Sequence, residues 1–482
     1  MKFSIKRLFV ASALAIGALA FAACGGGDEA PAAGFGAGAG DTAAVDAPPA
    51  GDMTGVFNKF TFTTQWHALG LDFVGQHEGL TGNFTVTPMD DAAYQTLVMT
   101  NLATGVNVPD AISLEVSFLR QFVESDFLMP LNHLLPYAQA AGTFQYALDL
   151  ATDDAGNLRA MPIQATPGVF YFRRSIAIEV FGTDDPEVIQ TYFSDIPTFL
   201  ESSRRIYEST NGRVWPISGT GMLWNPFNFA RSQPWNVDGN LVIDDMALEF
   251  MTVSDYFHSN GLHGEISNWS GGWFQAMNDD FVDAAGNSRQ VFGYFLPSWG
   301  LAYVLMPNAP DTFGDWGMID GPIPYSWGGT WFGVPANAPN PHLGVEFVRY
   351  ATTDIDFLTR YASYGLPNAE LALIDPTIPA TLDVGPGDFI SSSVVVDNIS
   401  DLFYDTAAAA FLGGQNPFPI FNRVSQIIDG RNVQGTDEII QAAFQDATSL
   451  YIEGEVDRQG AINIFLDSIS IDVPGLNTAH YR

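Results

Sequence analysis

The apolar and polar residues follow two different periods along the chain. Residues 59–65 and 83–87 alternate between apolar and polar residues over most of their length, which is typical of half-buried strands. Between Asp91 and Gly105 the apolar residues recur at helical spacing, and residues 110–115 form a short apolar run that predicts a buried strand. Strands that alternate with helices favour an α/β fold with a largely parallel sheet.

The pattern predicts further strands and helices toward the C-terminal end. Residues 158–164 and 168–172 are predicted strands, and the composition of residues 153–157 before them predicts a turn. We identify no internal repeat. A chain of 482 residues predicts two domains. Further helices are predicted at residues 197–209, 342–352, 437–452 and 458–469.

The first residues predict export. A basic start is followed by an apolar stretch over residues 8–20, which is short for a membrane span and indicates a signal peptide over residues 1–23. Residues 21–24, Phe-Ala-Ala-Cys, resemble a lipobox, in which Cys24 is lipidated and becomes the mature N-terminus. Phe21 stands where leucine is usual, so ordinary cleavage after Ala22 or Ala23 is the alternative. Residues 24–55 are rich in Gly, Ala and Pro and predict a flexible tether.

Composition narrows the classes of partner. The net charge is -35 because 19 Lys and Arg face 54 Asp and Glu, and Lys59 is the only lysine beyond the N-terminal segment. This scarcity of bases argues against binding to nucleic acid and against a polybasic contact with anionic lipid. Membrane attachment would depend on the lipid at Cys24. As the single cysteine, Cys24 supports no intramolecular disulfide, and we expect neither a metal nor a cofactor.

Several short segments in order resemble one family, the ABC-transporter extracellular solute-binding proteins of family 1, to which maltose-binding protein belongs. No segment is specific to this family by itself. Their order along the chain, after a signal peptide and a tether, is specific. The segments are residues 83–88, 94–97, 102–105 and 109–110, then 159–163 and 170–173, then 317–322, 328–335 and 346–350, and finally 364–367 and 451–455.

The resemblance implies a two-lobed α/β periplasmic-binding-protein fold, the Venus flytrap, with hinge-connected lobes. One lobe is expected at residues 56–165 and 320–352, and the other at 166–319 and 353–482. Ligand would lie between the lobes and favour the closed form by contacting both. The loaded monomer would then dock on the transmembrane subunits of an ABC permease.

Two arguments nominate ligand-binding residues. Ligands of open α/β sheets bind beyond the carboxyl ends of strands, and a sugar needs flat aromatic faces together with amides and carboxylates. The strand-end positions are Gln65, Trp66, Glu115, Gln164 and Thr166. The aromatic positions are Trp224, Trp299, Trp327 and Trp331, together with Tyr364 at the start of the family segment 364–367.

Each nomination has a structural alternative. A tryptophan can pack in the core, as we expect for Trp215, Trp235 and Trp316. Glu115 can be a solvated strand end or an acid in the first turn of a helix. The acidic residues between Asn278 and Asn287 lack the spacing of a calcium loop and predict a solvated turn.

The sequence therefore predicts an extracytoplasmic binding subunit for a mono- or oligosaccharide, and no enzyme. A binding protein for a peptide, a polyamine or a phosphorylated compound is the first alternative. A secreted glycan-active enzyme would need two carboxylates across the scissile bond, and no motif marks such a pair. A purely structural surface lipoprotein would need neither hinges nor an aromatic cleft.

Overall fold

The computed structural model describes residues 48–87, 93–279, 281–364 and 389–481. Cys24, most of the predicted tether and Asp91 lie outside these residues. No helix within the described ranges is long and apolar enough to cross a membrane.

The first half of the described chain alternates strands and helices. Its strands are β1 Gly55–Thr61, β2 Leu80–Val86, β3 Ala111–Glu115, β4 Ala160–Pro162 and β5 Pro167–Arg173. Its helices are α1 Thr64–Gly75, α2 Ala93–Thr104, α3 Val116–Val123, α4 Leu135–Ala141, α5 Gln145–Leu150, α6 Arg174–Phe181, α7 Pro186–Tyr192 and α8 Ile196–Ser209.

The second half has shorter strands and ends in helices. Its strands are β6 Val214–Trp215, β7 Asn236–Val237, β8 Asn240–Leu241, β9 Gln290–Val291, β10 Gly293–Pro297, β11 Trp316–Ile319, β12 Tyr325–Ser326 and β13 Thr330–Gly333. Its helices are α9 Trp224–Phe229, α10 Asp245–Ser259, α11 Gly271–Gln275, α12 Ser298–Gly300, α13 Met306–Asn308, α14 Pro341–Thr353, α15 Ile355–Tyr364, α16 Ser393–Ile399, α17 Ala407–Phe411, α18 Phe418–Ser425, α19 Asp437–Ile452 and α20 Arg458–Asp472.

Two main sheets organise these elements. The first has the order β2-β1-β3-β13-β4, in which β1 pairs with β2 and β3 in parallel and β13 is antiparallel to both neighbours. The second has the order β10-β5-β11, with β12 also paired to β5, and all its pairings are antiparallel. The expectation of largely parallel sheets therefore holds only for β1 to β3, because later strands return to pair with β3 and β5.

Strand β5 forms the centre of the second sheet. All seven of its residues are buried, so both faces of the strand are covered by apolar side chains. Phe170 lies 4.7 Å from Phe295 and 5.4 Å from Phe193, measured between ring centroids. Aromatic pairs at these distances stabilise the fold beyond the area that they bury.

Most predicted elements are confirmed, but the first strand ends earlier than expected. Residues 59–65 were expected to be extended, whereas β1 stops at Thr61 and α1 begins at Thr64. Thr63 caps α1 by accepting a hydrogen bond from the Trp66 backbone N–H. Gln65 and Trp66 therefore lie in the first turn of a helix rather than at a strand end. The cap ends the strand although the apolar-polar alternation extends two residues further, to Thr63.

A seven-residue segment occurs twice, which corrects the expectation of no repeat. Residues 153–159 and 283–289 share the pattern Asp-x-Ala-Gly-Asn-x-Arg. In each, the aspartate Oδ1 accepts from the backbone N–H groups two and four residues later, at 2.8–3.0 Å. In each, the arginine Nε donates to the aspartate Oδ2 at 2.8 Å. The two segments, hereafter the Asp-Arg turns, lead into β4 and β9.

The predicted lobe boundaries stay a prediction. The contacts of α15 bear on them, because Arg360 donates to both carboxylate oxygens of Asp72 in α1, each at 2.9 Å. The Gln65 side chain also donates to the Tyr361 hydroxyl at 2.8 Å. Helix α15 thus contacts α1, the helix that connects β1 and β2 of the first sheet.

Candidate functional site

A cavity of about 320 Å³ opens where elements of both sheets meet. We call it the acidic cleft. Its walls come from the end of β3 and the start of α3, from α9, from the loop between β12 and β13, and from the start of α19. Its lining residues are Glu115, Val116, Ser117, Asn225, Asn228, Phe229, Ser326, Trp327, Gly328, Val433, Gln434, Asp437, Glu438 and Gln441.

Glu115 is the last residue of the buried strand β3 and the N-cap of α3. Its Oε2 accepts a hydrogen bond of 2.7 Å from the Ser117 backbone N–H, so the chain turns into the helix directly at the cleft. Burial raises the pKa of Glu115, although the hydrogen bonds from Ser117 and Val116 oppose that rise. The nearby charge of Glu438 raises it further.

The loop between β12 and β13 brings Trp327 to the cleft. Gly328 and Gly329 have φ angles of 82° and 119°, which favour glycine. A Cβ on Gly328 would lie 2.8 Å from the Trp299 Nε1, so the close approach also needs glycine. Buried Thr166 fixes the position of this loop, because its hydroxyl donates to the Gly328 carbonyl at 2.8 Å.

Three partly exposed tryptophans, Trp269, Trp299 and Trp327, form an aromatic cluster beside this loop. Trp269 and Trp299 are stacked with ring centroids 6.2 Å apart and an interplanar angle of 10°. Trp327 meets both edge-on, at 5.9 Å and 5.7 Å. The Trp299 Nε1 donates to the Trp327 carbonyl at 2.9 Å, which fixes the two rings relative to each other. Trp269 has a φ of 65°, uncommon for a residue other than glycine.

The opposite wall carries carboxylates and amides on α19 and α9. Asp437 accepts a hydrogen bond of 2.7 Å from the Arg231 Nη2, and both side chains are almost fully buried. The Asp437 Oδ1 and the Asn228 Oδ1 are buried without a hydrogen-bond partner. Both residues line the cavity, so this wall combines a carboxylate and an amide whose hydrogen-bonding capacity is not fully used within the described residues.

The structure brings together only part of the predicted site. Glu115 and Trp327 line the acidic cleft. Trp299 and Thr166 do not line it, but they donate hydrogen bonds to backbone carbonyls of the loop between β12 and β13. Gln164 is buried, and its backbone N–H donates to the Thr330 carbonyl at 3.4 Å. Tyr364 ends α15, and its side chain is not among the described parts of the chain.

Three other nominated tryptophans pack in the core. Trp66 meets Phe332 edge-on at 5.9 Å, and Trp224 meets Phe250 edge-on at 5.0 Å. The Trp331 Nε1 donates to the Ala147 carbonyl at 2.8 Å. Their exposed fractions are 2%, 5% and 1%, so we leave these rings out of the proposed site. Trp215, Trp235 and Trp316 are also buried, as expected.

Most of the far wall was missed by sequence reasoning. Except for Trp269 and Gln434, which lie in loops, the missed residues lie on α9 and α19, where the rule of strand carboxyl ends does not apply. Trp269 lies between Asn and Ser in a tryptophan-rich stretch, the one signal that could have pointed to it. The missed residues are Asn225, Asn228, Trp269, Gln434, Asp437, Glu438 and Gln441.

Acidic residues that were predicted to form a solvated turn make hydrogen bonds within the protein. Arg173 donates to Asp279 at 3.1 Å, and Asp283 is the aspartate of the second Asp-Arg turn. Within the described residues, no three His, Cys, Asp or Glu side chains are placed so that they could hold one metal ion together.

Comparison with known proteins identifies the family. The family described as bacterial extracellular solute-binding protein matches residues 69–380, which is more than half of the chain. A crystal structure described as extracellular solute-binding protein family 1 shares the fold with a TM-score of 0.71 at 16% identity, over 86% of this chain and 99% of that one.

Two further solved structures share the fold at low identity. The sugar-binding protein MalE from Xanthomonas citri has a TM-score of 0.62 at 14% identity, covering 86% of this chain and 97% of that one. The galacto-N-biose-/lacto-N-biose I-binding protein of an ABC transporter from Bifidobacterium longum, solved with lacto-N-biose, has a TM-score of 0.62 at 12% identity, over 88% and 98%.

Proposed function

Because this chain belongs to the bacterial extracellular solute-binding proteins, we propose that it captures a carbohydrate in the acidic cleft and delivers it to the permease of an ABC importer. The observation that carries the proposal is the pairing of the half-buried Trp327 ring with carboxylates and amides in one cavity. A sugar has C–H groups that pack on an aromatic face and hydroxyls that bind polar side chains.

Size and neighbours support the same proposal. The cavity of about 320 Å³ lies near the small end of the range for ligand sites, roughly 300–1,000 Å³, which favours a mono- or disaccharide. Two proteins with this fold are sugar-binding proteins by name. A phosphorylated solute is disfavoured, because the cleft lining contains no Arg, Lys or His.

The test is a calorimetric and thermal-shift screen of the full chain against mono- and disaccharides, peptides and polyamines. A ligand at a hundredfold excess over its Kd should stabilise the folded protein by about 2.7 kcal/mol. Trp327→Ala should weaken binding of the sugar at least about tenfold, because it removes roughly 1.5 kcal/mol of ring packing. Tyr137→Ala, an exposed aromatic outside the cleft, is the control. A sugar bound equally well by Trp327→Ala would refute the site.

We further propose that a lipid on Cys24 holds the protein at the outer face of the cell membrane. The support is the segment Phe-Ala-Ala-Cys behind an apolar stretch, followed by a flexible tether. Cys24→Ala should release the protein from the membrane fraction of intact cells. Retention of this variant in that fraction would contradict the lipid anchor.

A further inference from the structure

The charges in the acidic cleft are unbalanced. Three carboxylates, Glu115, Asp437 and Glu438, line the cavity, and none of the lining residues is a base. Arg231 lies behind the wall and pairs with Asp437, so that carboxylate is already neutralised. Glu115 and Glu438 form no ion pair among the described residues. The cleft therefore presents two uncompensated negative charges to whatever enters it.

These two glutamates lie on different elements that face one cavity. Glu115 ends β3, and Glu438 belongs to the first turn of α19. Burial raises the pKa of both side chains, and the charge of Glu438 adds to the rise at Glu115. Two like charges in a partly desolvated cavity destabilise each other. A cation between them would relieve the repulsion.

The wall that carries Glu438 is also rich in acceptor atoms. Asn228 and Asp437 are 9% and 3% exposed, and each has an Oδ1 without a hydrogen-bond partner. Both of these atoms are acceptors, as are the oxygens of Glu115 and Glu438. A primary ammonium group offers three donors and a positive charge, whereas a hydroxyl offers one donor and no charge.

We propose that the solute of the acidic cleft carries a protonated amine, held between Glu115 and Glu438, while the apolar face of its ring lies on Trp327. The inference rests on the carbohydrate function proposed above and narrows it to amine-bearing sugars. The two glutamates are specificity-determining residues, since they distinguish an ammonium from a hydroxyl at the same position of a sugar.

The test compares matched ligands by calorimetry on the full chain: glucose, glucosamine and N-acetylglucosamine, their galactose and mannose counterparts, and spermidine. An amino sugar should bind roughly ten- to hundredfold more tightly than its neutral counterpart, the range expected for hydrogen bonds to a charged group. Glu438→Gln and Glu115→Gln should abolish that preference. Glu453→Gln removes an exposed charge at the other end of α19 and should preserve it.

A pH series gives a second readout. The groups that face the ammonium position are Glu115 from β3 and Asp437 and Glu438 from α19, with Arg231 behind Asp437. Because the pKa values of Glu115 and Glu438 are raised, affinity for the amino sugar should fall as the pH drops toward their titration, whereas affinity for a neutral sugar should change little.

The outcomes separate the two proposals. Equal binding of neutral and amino sugars would overturn the ammonium inference and leave the carbohydrate function standing. Binding of spermidine alone, lost in Glu438→Gln, would support the ammonium position and overturn the carbohydrate function. No binding by any of these compounds or by the disaccharides of the first screen would contradict both.

Discussion

Lys59, the one lysine of the folded chain, is fully buried in the core of the first sheet. Its Nζ donates to the Trp66 carbonyl at 2.8 Å and to the Ser113 hydroxyl at 3.2 Å, and it lies 5.0 Å from the centre of the Phe332 ring. No carboxylate in the described part of the chain pairs with it. Burial without a counter-charge lowers the pKa of Lys59 well below its ordinary value.

This lowered pKa predicts how stability depends on pH. As the pH rises from 7 toward 10, the folded state releases the Lys59 proton before the unfolded state does, so the free energy of unfolding should increase. Lys59→Met should unfold with a higher free energy at pH 7, by on the order of 1 kcal/mol, because folding no longer has to desolvate or deprotonate an ammonium group. Urea unfolding of both proteins from pH 7 to 10 should show the difference shrinking. Parallel curves would mean that Lys59 does not titrate in this window.

At the scale of single residues, the sequence predicted Glu115 better than Gln65 and Trp66. Glu115 follows a run of four buried residues, so the end of its strand was visible in the apolar pattern. The alternation over residues 59–65 fits a strand and the start of α1 equally well, and only the Thr63 cap separates them. Asn228 carries no signal in the sequence, since its place in the cleft depends on how α9 packs.

The Asp-Arg turns show one short sequence building the same element at two sites. Each aspartate carboxylate accepts hydrogen bonds from the turn backbone and from the arginine six residues later. The match in both sequence and hydrogen bonding indicates that the segment specifies its own structure. Elements of this kind are predictable from sequence, because every contact that defines them lies within seven residues.

The second turn allows a direct test of that interpretation. Asp283→Asn should lower the urea midpoint at pH 7, because Arg289 loses its charged acceptor. The hydrogen bonds from Arg289 and Asn287 lower the pKa of Asp283, so its contribution should be present above about pH 4, near the unfolded value. It should be lost as the pH falls further, and the deficit of the variant should then shrink.

Two related substitutions complete the comparison of the turns. Asp153→Asn, the same change in the first turn, should have an effect of the same sign. Asp154→Asn should change little, because that side chain is 99% exposed. An Asp283→Asn protein that unfolds like the wild type at pH 7 would show that the backbone alone sets the turn.

At the scale of the whole molecule, the acidic cleft exists only because distant parts of the chain meet. Glu115 and Glu438 are separated by more than half of the chain, and Trp327 reaches the same cavity from the loop before β13. The local pattern of apolar and polar residues does not indicate which distant segments come together. The order of family segments predicted the fold, whereas the far wall required the packing of α9 and α19 to be known.

One contact joins the two walls without touching the cavity. The Glu124 Oε1, at the end of α3, accepts from the Arg120 Nε at 3.1 Å and from the Gly435 backbone N–H at 3.2 Å. Gly435 lies two residues before α19, next to its N-cap Thr436, where backbone N–H groups and the helix dipole favour a negative charge. We therefore expect Glu124 to stabilise the arrangement in which α3 and α19 both face a ligand.

Glu124→Ala should weaken ligand binding although this residue does not line the cleft. A hydrogen bond of this kind contributes roughly 0.5–1.5 kcal/mol, so the apparent Kd should rise about two- to tenfold as the binding-competent population falls. Small-angle scattering of the unliganded variant should give a larger radius of gyration than the wild type, and saturating ligand should remove the difference. Because Trp327→Ala removes a ligand contact instead, it should weaken binding without changing the unliganded radius. An unchanged Kd and radius in Glu124→Ala would show that the remaining contacts between α3, α9 and α19 hold the cleft together without this bridge.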